Sequence, residues 1–209
     1  MAPTSPSADR RREHRRSAIA AACLDRFAHE GFAEARLELL AQDAALSRQN
    51  LLFYFRDKAD LWAESITCAT EEVFRVLTRL VTGEAGPTAV RAMRRGLDEV
   101  SRVLPSAFTV LLDSAGGAPR ASGQQQQRTT AAQAAFFAAH SAALSSPAAP
   151  TESTHRLTRL AWLTLLAHHR EARTHDRSGL AAGIPLAADL DFAEVQLVAI
   201  ASAHLPRGR

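Results

Sequence analysis

The chain has 209 residues, 46% of them hydrophobic and 22% charged, which excludes a disordered polymer and leaves enough apolar side chains for a real core. The net charge of +3 names no partner by itself, and Lys58 is the one lysine among 25 basic residues. Two separated cysteines, Cys23 and Cys68, with no CxxC exclude a disulfide framework and read as small buried thiols in a reducing compartment, a redox pair being the alternative.

The Pro/Ser-rich opening predicts a disordered tail over 1–11. It leads into a basic cluster, Arg10, Arg11, Arg12, Arg15 and Arg16, which is either a solvated run or an arm that approaches phosphates. It has no apolar core for a signal peptide, and no apolar run reaches the roughly 20 residues that span a bilayer, so a cytoplasmic location is expected. Ile19, Ala22, Cys23, Phe27 and Ala28 recur at helical spacing and predict a helix over 12–30, stopped by Gly31. A short helix over 36–44 follows, then Ala45-Leu46-Ser47, then a helix over 48–55 with Ser47 as its N-cap. Asp57 caps the next helix, which runs to Val81, and Asp60 adds an acid to its first turn.

Further helices are expected over 88–104, 106–114, 124–145, 151–174 and 190–204, separated by Gly- and Pro-containing breaks, about nine in all. Nothing alternates in polarity for long enough to argue for a sheet, so the fold class is all-α. The last two helices are apolar most of the way round. Such helices are buried on two sides, and the second side is most simply another subunit. Leu163, Leu166, Val195 and Val198 are the candidate dimer residues.

Two helices joined by about three residues over 36–55 have the spacing of a helix-turn-helix, whose second helix enters the major groove. That second helix opens with Arg48, Gln49 and Asn50. Arginine can bond guanine O6 and N7, and the two amides can match adenine N6 and N7. Leu51, Leu52, Phe53 and Phe55 include the residues that anchor it to the core, and Leu51, Leu52 and Phe55 read as core with no direct DNA role. Tyr54 offers a hydroxyl to phosphate or simply packs; Lys58 adds charge at the start of the following helix.

The elements Phe27-Ala28, Gly31-Phe32, Ala45-Leu46-Ser47, Leu51-Leu52, Tyr54-Phe55, Asp57-Lys58 and Leu61 stand at the spacing of the N-terminal domain of the tetracycline-repressor (TetR) family, which residues 12–66 resemble. The resemblance implies a three-helix DNA-binding domain over 12–56 and a ligand-binding and dimerisation domain over 57–209. It implies a homodimer on an inverted-repeat operator of double-stranded DNA, a repressor released by a small-molecule effector, no cofactor and no enzymatic activity. An activator or ligand-independent regulator of the same fold, an all-α enzyme and a helical scaffold are the rival readings. Ala35 stands where the family often has a threonine cap, with Arg36 next as the replacement phosphate contact; Ala45 stands at the usual turn glycine.

The candidate effector residues are Phe108, Leu112, Phe136, Phe137, His140 and Trp162, an apolar set that predicts a neutral or weakly polar hydrophobic ligand. His140 reads equally as a pocket donor or a helix-surface histidine. His168, His169, His175 and Glu171 lack the HExxH spacing and read as solvated or interface groups, so no metal is expected. Glu71 and Glu72 read as a solvated helix face, and no catalytic motif is present.

Overall fold

The computed structural model describes residues 6–114, 121–144, 151–178 and 195–198, and all its regular structure is α-helical. The expected tail over 1–5, the linker over 179–188 and most of the helix expected over 190–204 lie outside the described residues. The helices are α1 (Pro6–Ala22), α2 (Leu24–Glu34), α3 (Leu37–Asp43), α4 (Arg48–Tyr54), α5 (Lys58–Val81), α6 (Thr88–Val103), α7 (Pro105–Asp113), α8 (Gly123–Leu144) and α9 (Thr151–Ser178).

Two boundaries differ from the sequence reading. α1 starts at Pro6, so residues 6–11 of the expected tail are helical. Proline is pre-organised for a first helical turn, and Asp9 complements the helix dipole there. The single helix expected over 12–30 is two helices meeting at Cys23, which has φ −87° and ψ −6°. Ile19, Ala20, Cys23 and Phe27 are all buried, so the apolar pattern runs through the junction without marking it. Gly31 has φ 76°, a left-handed value that glycine adopts without steric cost, and it ends the regular turn of α2.

The chain divides into two compact units, one of residues 1–73 and 104–132, the other of 74–103 and 133–209. In the first, α7 packs on α2 and α3 packs on α4. Leu40, Leu51, Phe55, Leu61 and Phe27 form its core, and the Phe27 and Trp62 rings meet edge to face at 4.8 Å. Arg26 joins α2 to α3 by donating to Asp43 at 2.9 Å, and it also donates to Glu30 of its own helix at 2.7 Å.

In the second unit α6 packs on α9. Ala89, Val90, Ala92, Met93, Gly96, Leu97 and Val100 lie on its buried face, a stripe of threes and fours with Arg91 and Arg95 outside. Leu157, Thr158, Ala161, Trp162 and Leu165 are the inward face of α9. Leu160 and Leu163 are 47% and 61% exposed, so Leu160 shares the outer side with Leu163, and Trp162 belongs with Ala161 on the inner one.

Candidate nucleic-acid interface

The α3–α4 pair is built on a tight C-terminal cap. Leu46 N–H donates to Ala41 O at 2.8 Å and Ala45 N–H to Gln42 O at 2.9 Å, the paired bonds of a Schellman turn. Such a turn needs a left-handed residue, and Ala45 supplies it at φ 54°. An alanine at the usual turn glycine thus takes the conformation that favours glycine, and the two cap bonds hold it there. Ser47 then opens α4, its Oγ accepting from Asn50 N–H at 3.1 Å, as expected of an N-cap. α3 has no such cap: Arg36 occupies its N-cap position without a side-chain bond, and its side chain is exposed.

Leu51 and Phe55 fix the inner side of α4, at 0% and 1% exposure. Arg48, Gln49 and Asn50 are exposed. Arg48 Nε lies 3.3 Å from Glu38 Oε1, an ion pair with both side chains more than half exposed and worth little in water. Leu52 and Phe53 are also exposed, at 38% and 69%, which corrects the reading of Leu52 as core. Tyr54 is half-buried, with its ring against Phe53.

α1 holds the far end of α4. Arg16 donates to Tyr54 O and, at 2.9 Å, to Asp60 Oδ1, with its guanidinium 4.3 Å from the Phe55 ring centroid. Arg12 donates to Phe53 O at 3.4 Å. Two arginines of the basic cluster are therefore bound to protein, while Arg11 and Arg15 are exposed. Burial works to raise the Asp60 carboxyl, but the Arg16 guanidinium and the Arg56 backbone N–H outweigh it and hold it below the usual carboxylate range. Asp57 caps α5 as expected, accepting from Asp60 N–H at 2.8 Å.

Lys58 has a task the sequence did not suggest. Its ammonium donates to Ala33 O at 2.9 Å and Ala35 O at 3.0 Å and lies 4.8 Å from the Phe32 ring centroid. It satisfies carbonyls at the α2–α3 junction, so two of its three protons are spent within the protein.

A buried polar cluster was missed altogether. Arg128 of α8 donates to Glu71 Oε1 at 2.9 Å and to Glu64 Oε1 at 2.7 Å; Gln125 donates to Glu64 Oε2 at 2.8 Å, and Ser17 to Glu64 Oε1 at 3.0 Å. Glu64 is 3% exposed. Burial would raise its carboxyl, but the hydrogen bonds from Gln125, Arg128 and Ser17 keep it below the ordinary value. Glu71 is thus a partner of Arg128 rather than a solvated acid. Beside the cluster is a cleft of about 500 Å³ lined by Arg12, Arg16, Arg56, Asp60, Gln125 and neighbouring polar residues. The available signal was Glu64, Cys68 and Glu71 on one face of α5, facing Gln125 and Arg128 one turn apart on α8.

Of the candidate effector residues, Phe108 and Leu112 are buried in the first unit. In the second, Phe74, Phe136, Phe137 and Trp162 pack together, with Phe74–Trp162 centroids at 5.0 Å and Phe136–Trp162 at 5.6 Å. His140 is neither a surface histidine nor a free donor. It is fully buried, with Nε2–H donating to Ala89 O at 3.0 Å, and that tautomer leaves Nδ1 to accept from Thr158 Oγ1, also at 3.0 Å. Burial, opposed by the bond to Ala89, lowers its pKa to about 4.

Of the candidate dimer residues, Leu163 and Val195 are 61% and 63% exposed, and Leu166 and Val198 are half-buried. His169 lies 3.6 Å from Asp98 Oδ1; the side chains of His168, His175 and Glu171 lie outside the described residues. Among the described residues no helix is long and apolar enough to cross a membrane.

No family model matches the chain, and no curated protein matches it in sequence. Solved structures do. A TetR-like transcriptional regulator from Rhodococcus sp. RHA1 is similar at TM-score 0.55 and 20% identity, over 90% of this chain and 96% of that one. A TetR family transcription regulator from Marinobacter aquaeolei VT8 is similar at TM-score 0.53 and 17% identity, over 91% and 97%. The transcriptional regulator FadR from Bacillus subtilis, in complex with stearoyl-CoA, is similar at TM-score 0.52 and 12% identity, over 87% and 96%. The chain has the fold of the TetR-family regulators, a helix-turn-helix followed by further helices.

Proposed function

We propose that this chain, with that fold as the premise, is a cytoplasmic sequence-specific DNA-binding transcriptional regulator, a homodimeric repressor released from its operator by a small apolar effector. The observation that carries the reading is the exposed Arg48-Gln49-Asn50 run, presented at the start of α4 by the Ser47 cap and the Ala45 turn. Arg48, Gln49 and Asn50 contact bases; Arg36, Ser47 and Tyr54 contact phosphate; Lys58 holds the turn before α3 and has one proton left for a phosphate. Residues 12–56 form the reading head. Residues 57–209 hold the effector, around Phe136, Phe137 and Trp162 of the second unit, and the dimer contact at Leu163, Leu166, Val195 and Val198; Phe108 and Leu112 belong to the core of the first unit. His140 positions the aromatic cluster and does not donate to the effector.

Binding-site selection with the purified protein tests this. The expected product is an inverted repeat whose half-sites lie about 34–36 Å apart, or a multiple of that. Arg48→Ala, Gln49→Ala and Asn50→Ala should each relax preference at particular bases, by roughly 1–3 kcal/mol per lost bidentate contact. Random or asymmetric selected sites would overturn the reading. Leu163→Glu should split the dimer in sedimentation, because an unpaired buried charge costs several kcal/mol; a fully dimeric variant would move the contact elsewhere.

A further inference from the structure

α4 carries an apolar patch that the core does not explain. Its inner side is Leu51 and Phe55, one turn apart and buried. Its outer side is two further pairs at the same spacing, Arg48 with Leu52 and Gln49 with Phe53, all exposed. Phe53 is 69% exposed and Leu52 38%. A phenylalanine so placed gains almost nothing from the fold, since a ring stabilises by the apolar area it removes from water. The Arg12 guanidinium, 5.6 Å from the Phe53 ring centroid, steadies the ring without covering it.

We infer that Leu52 and Phe53 form an apolar reader of thymine, touching the 5-methyl groups of thymines one helical turn beyond the bases met by Arg48 and Gln49. The inference rests on the DNA-binding reading and deepens it. The thymine methyl is the apolar group that base pairs display in the major groove, and alanine, threonine and phenylalanine side chains are its natural contacts. One turn of α-helix advances about 5.4 Å, and one base step about 3.4 Å, so the methyls lie one to two base pairs from the bases read by the polar pair. Leu52 and Phe53 continue the reading face rather than adding a separate surface, which argues for DNA over a protein partner.

The test uses the full-length protein and the site it selects. Each thymine of a half-site is replaced in turn by deoxyuridine, which removes the methyl and leaves the hydrogen-bonding edge intact. At one or two positions the wild-type protein should bind the uracil operator about threefold to fourfold more weakly, the worth of one buried methyl-sized group. Phe53→Ala and Leu52→Ala should bind the thymine operator more weakly and lose that discrimination, while keeping the preference at bases assigned to Arg48 and Gln49. Both side chains are exposed, and a melting curve confirms that each variant is folded. Equal wild-type binding to thymine and uracil operators at every position would overturn this inference alone, as would variants that still discriminate. Failure to select any site would overturn the DNA reading and this inference with it.

Discussion

At Ala45 a methyl group stands where the backbone wants none. A non-glycine residue in the left-handed region costs about 1–2 kcal/mol, and glycine recovers that at an entropic cost of about 0.5–1 kcal/mol. Ala45 is exposed, so no packing offsets the strain. Ala45→Gly is therefore expected to stabilise the protein by up to about 1 kcal/mol, read as a rise in melting temperature; a fall would mean that the turn is not left-handed in solution. His140 sets a different balance. Its pKa is lowered to about 4 by burial, against about 6.5 in the unfolded chain. Between those values the unfolded chain binds more protons, so stability falls as pH drops from 6.5 towards 4, by about 3 kcal/mol in all. The carboxylates Glu64 and Asp60 add their own losses at the acid end, as pH falls through their lowered folded values. Denaturant titrations between pH 7 and 4.5 should show the histidine slope in the wild type and a flatter profile in His140→Gln. Equal slopes would dissociate the ring from the pH response.

Among the elements, α4 was the most legible, while α5 was legible in its cap and extent but not in its polar face. The cap, the start and the inner side of α4 all rest on neighbours within a few residues, and the structure keeps Ser47, Leu51 and Phe55 in the expected places. Leu52 was misread because an apolar residue beside Leu51 looks like core until the helix phase is fixed. In α5 the buried acid Glu64 has partners 47, 61 and 64 residues away, and the spacing of Glu64, Cys68 and Glu71 marks a polar stripe without saying what meets it. Separating those partners isolates the Arg128 contact. Arg128→Met leaves Glu64 buried without its cation and should cost about 3 kcal/mol or more, whereas adding Glu64→Leu should recover much of that, since a well-packed apolar pair can match a buried ion pair. Stability measurements on both single variants and the pair complete the cycle; additive losses would show that Arg128 and Glu64 do not act together.

Across the whole molecule, helix content and the helix-turn-helix were readable because both follow from spacing within the chain. The division into two compact units was not, since α7 and the start of α8 return to the first unit after α6 has been built into the second. The same long returns hide His140, whose partners Ala89 and Thr158 lie 51 and 18 residues away. They also decide the chemistry of sulfur. Cys23 is buried beneath α3, with Sγ 3.4 Å from Leu40 O, and Cys68 faces Glu64 and Ser17. Burial, helped by Asp43 at the first and Glu64 at the second, pushes the thiols up to about 12 and about 11. The nucleophile is the thiolate, so each sulfur should react two to three orders of magnitude more slowly than an ordinary cysteine, roughly as the pKa shift dictates. A cysteine introduced at an exposed position such as Gln49 would then outpace both natural ones, and maleimide dyes could be attached there without first removing either.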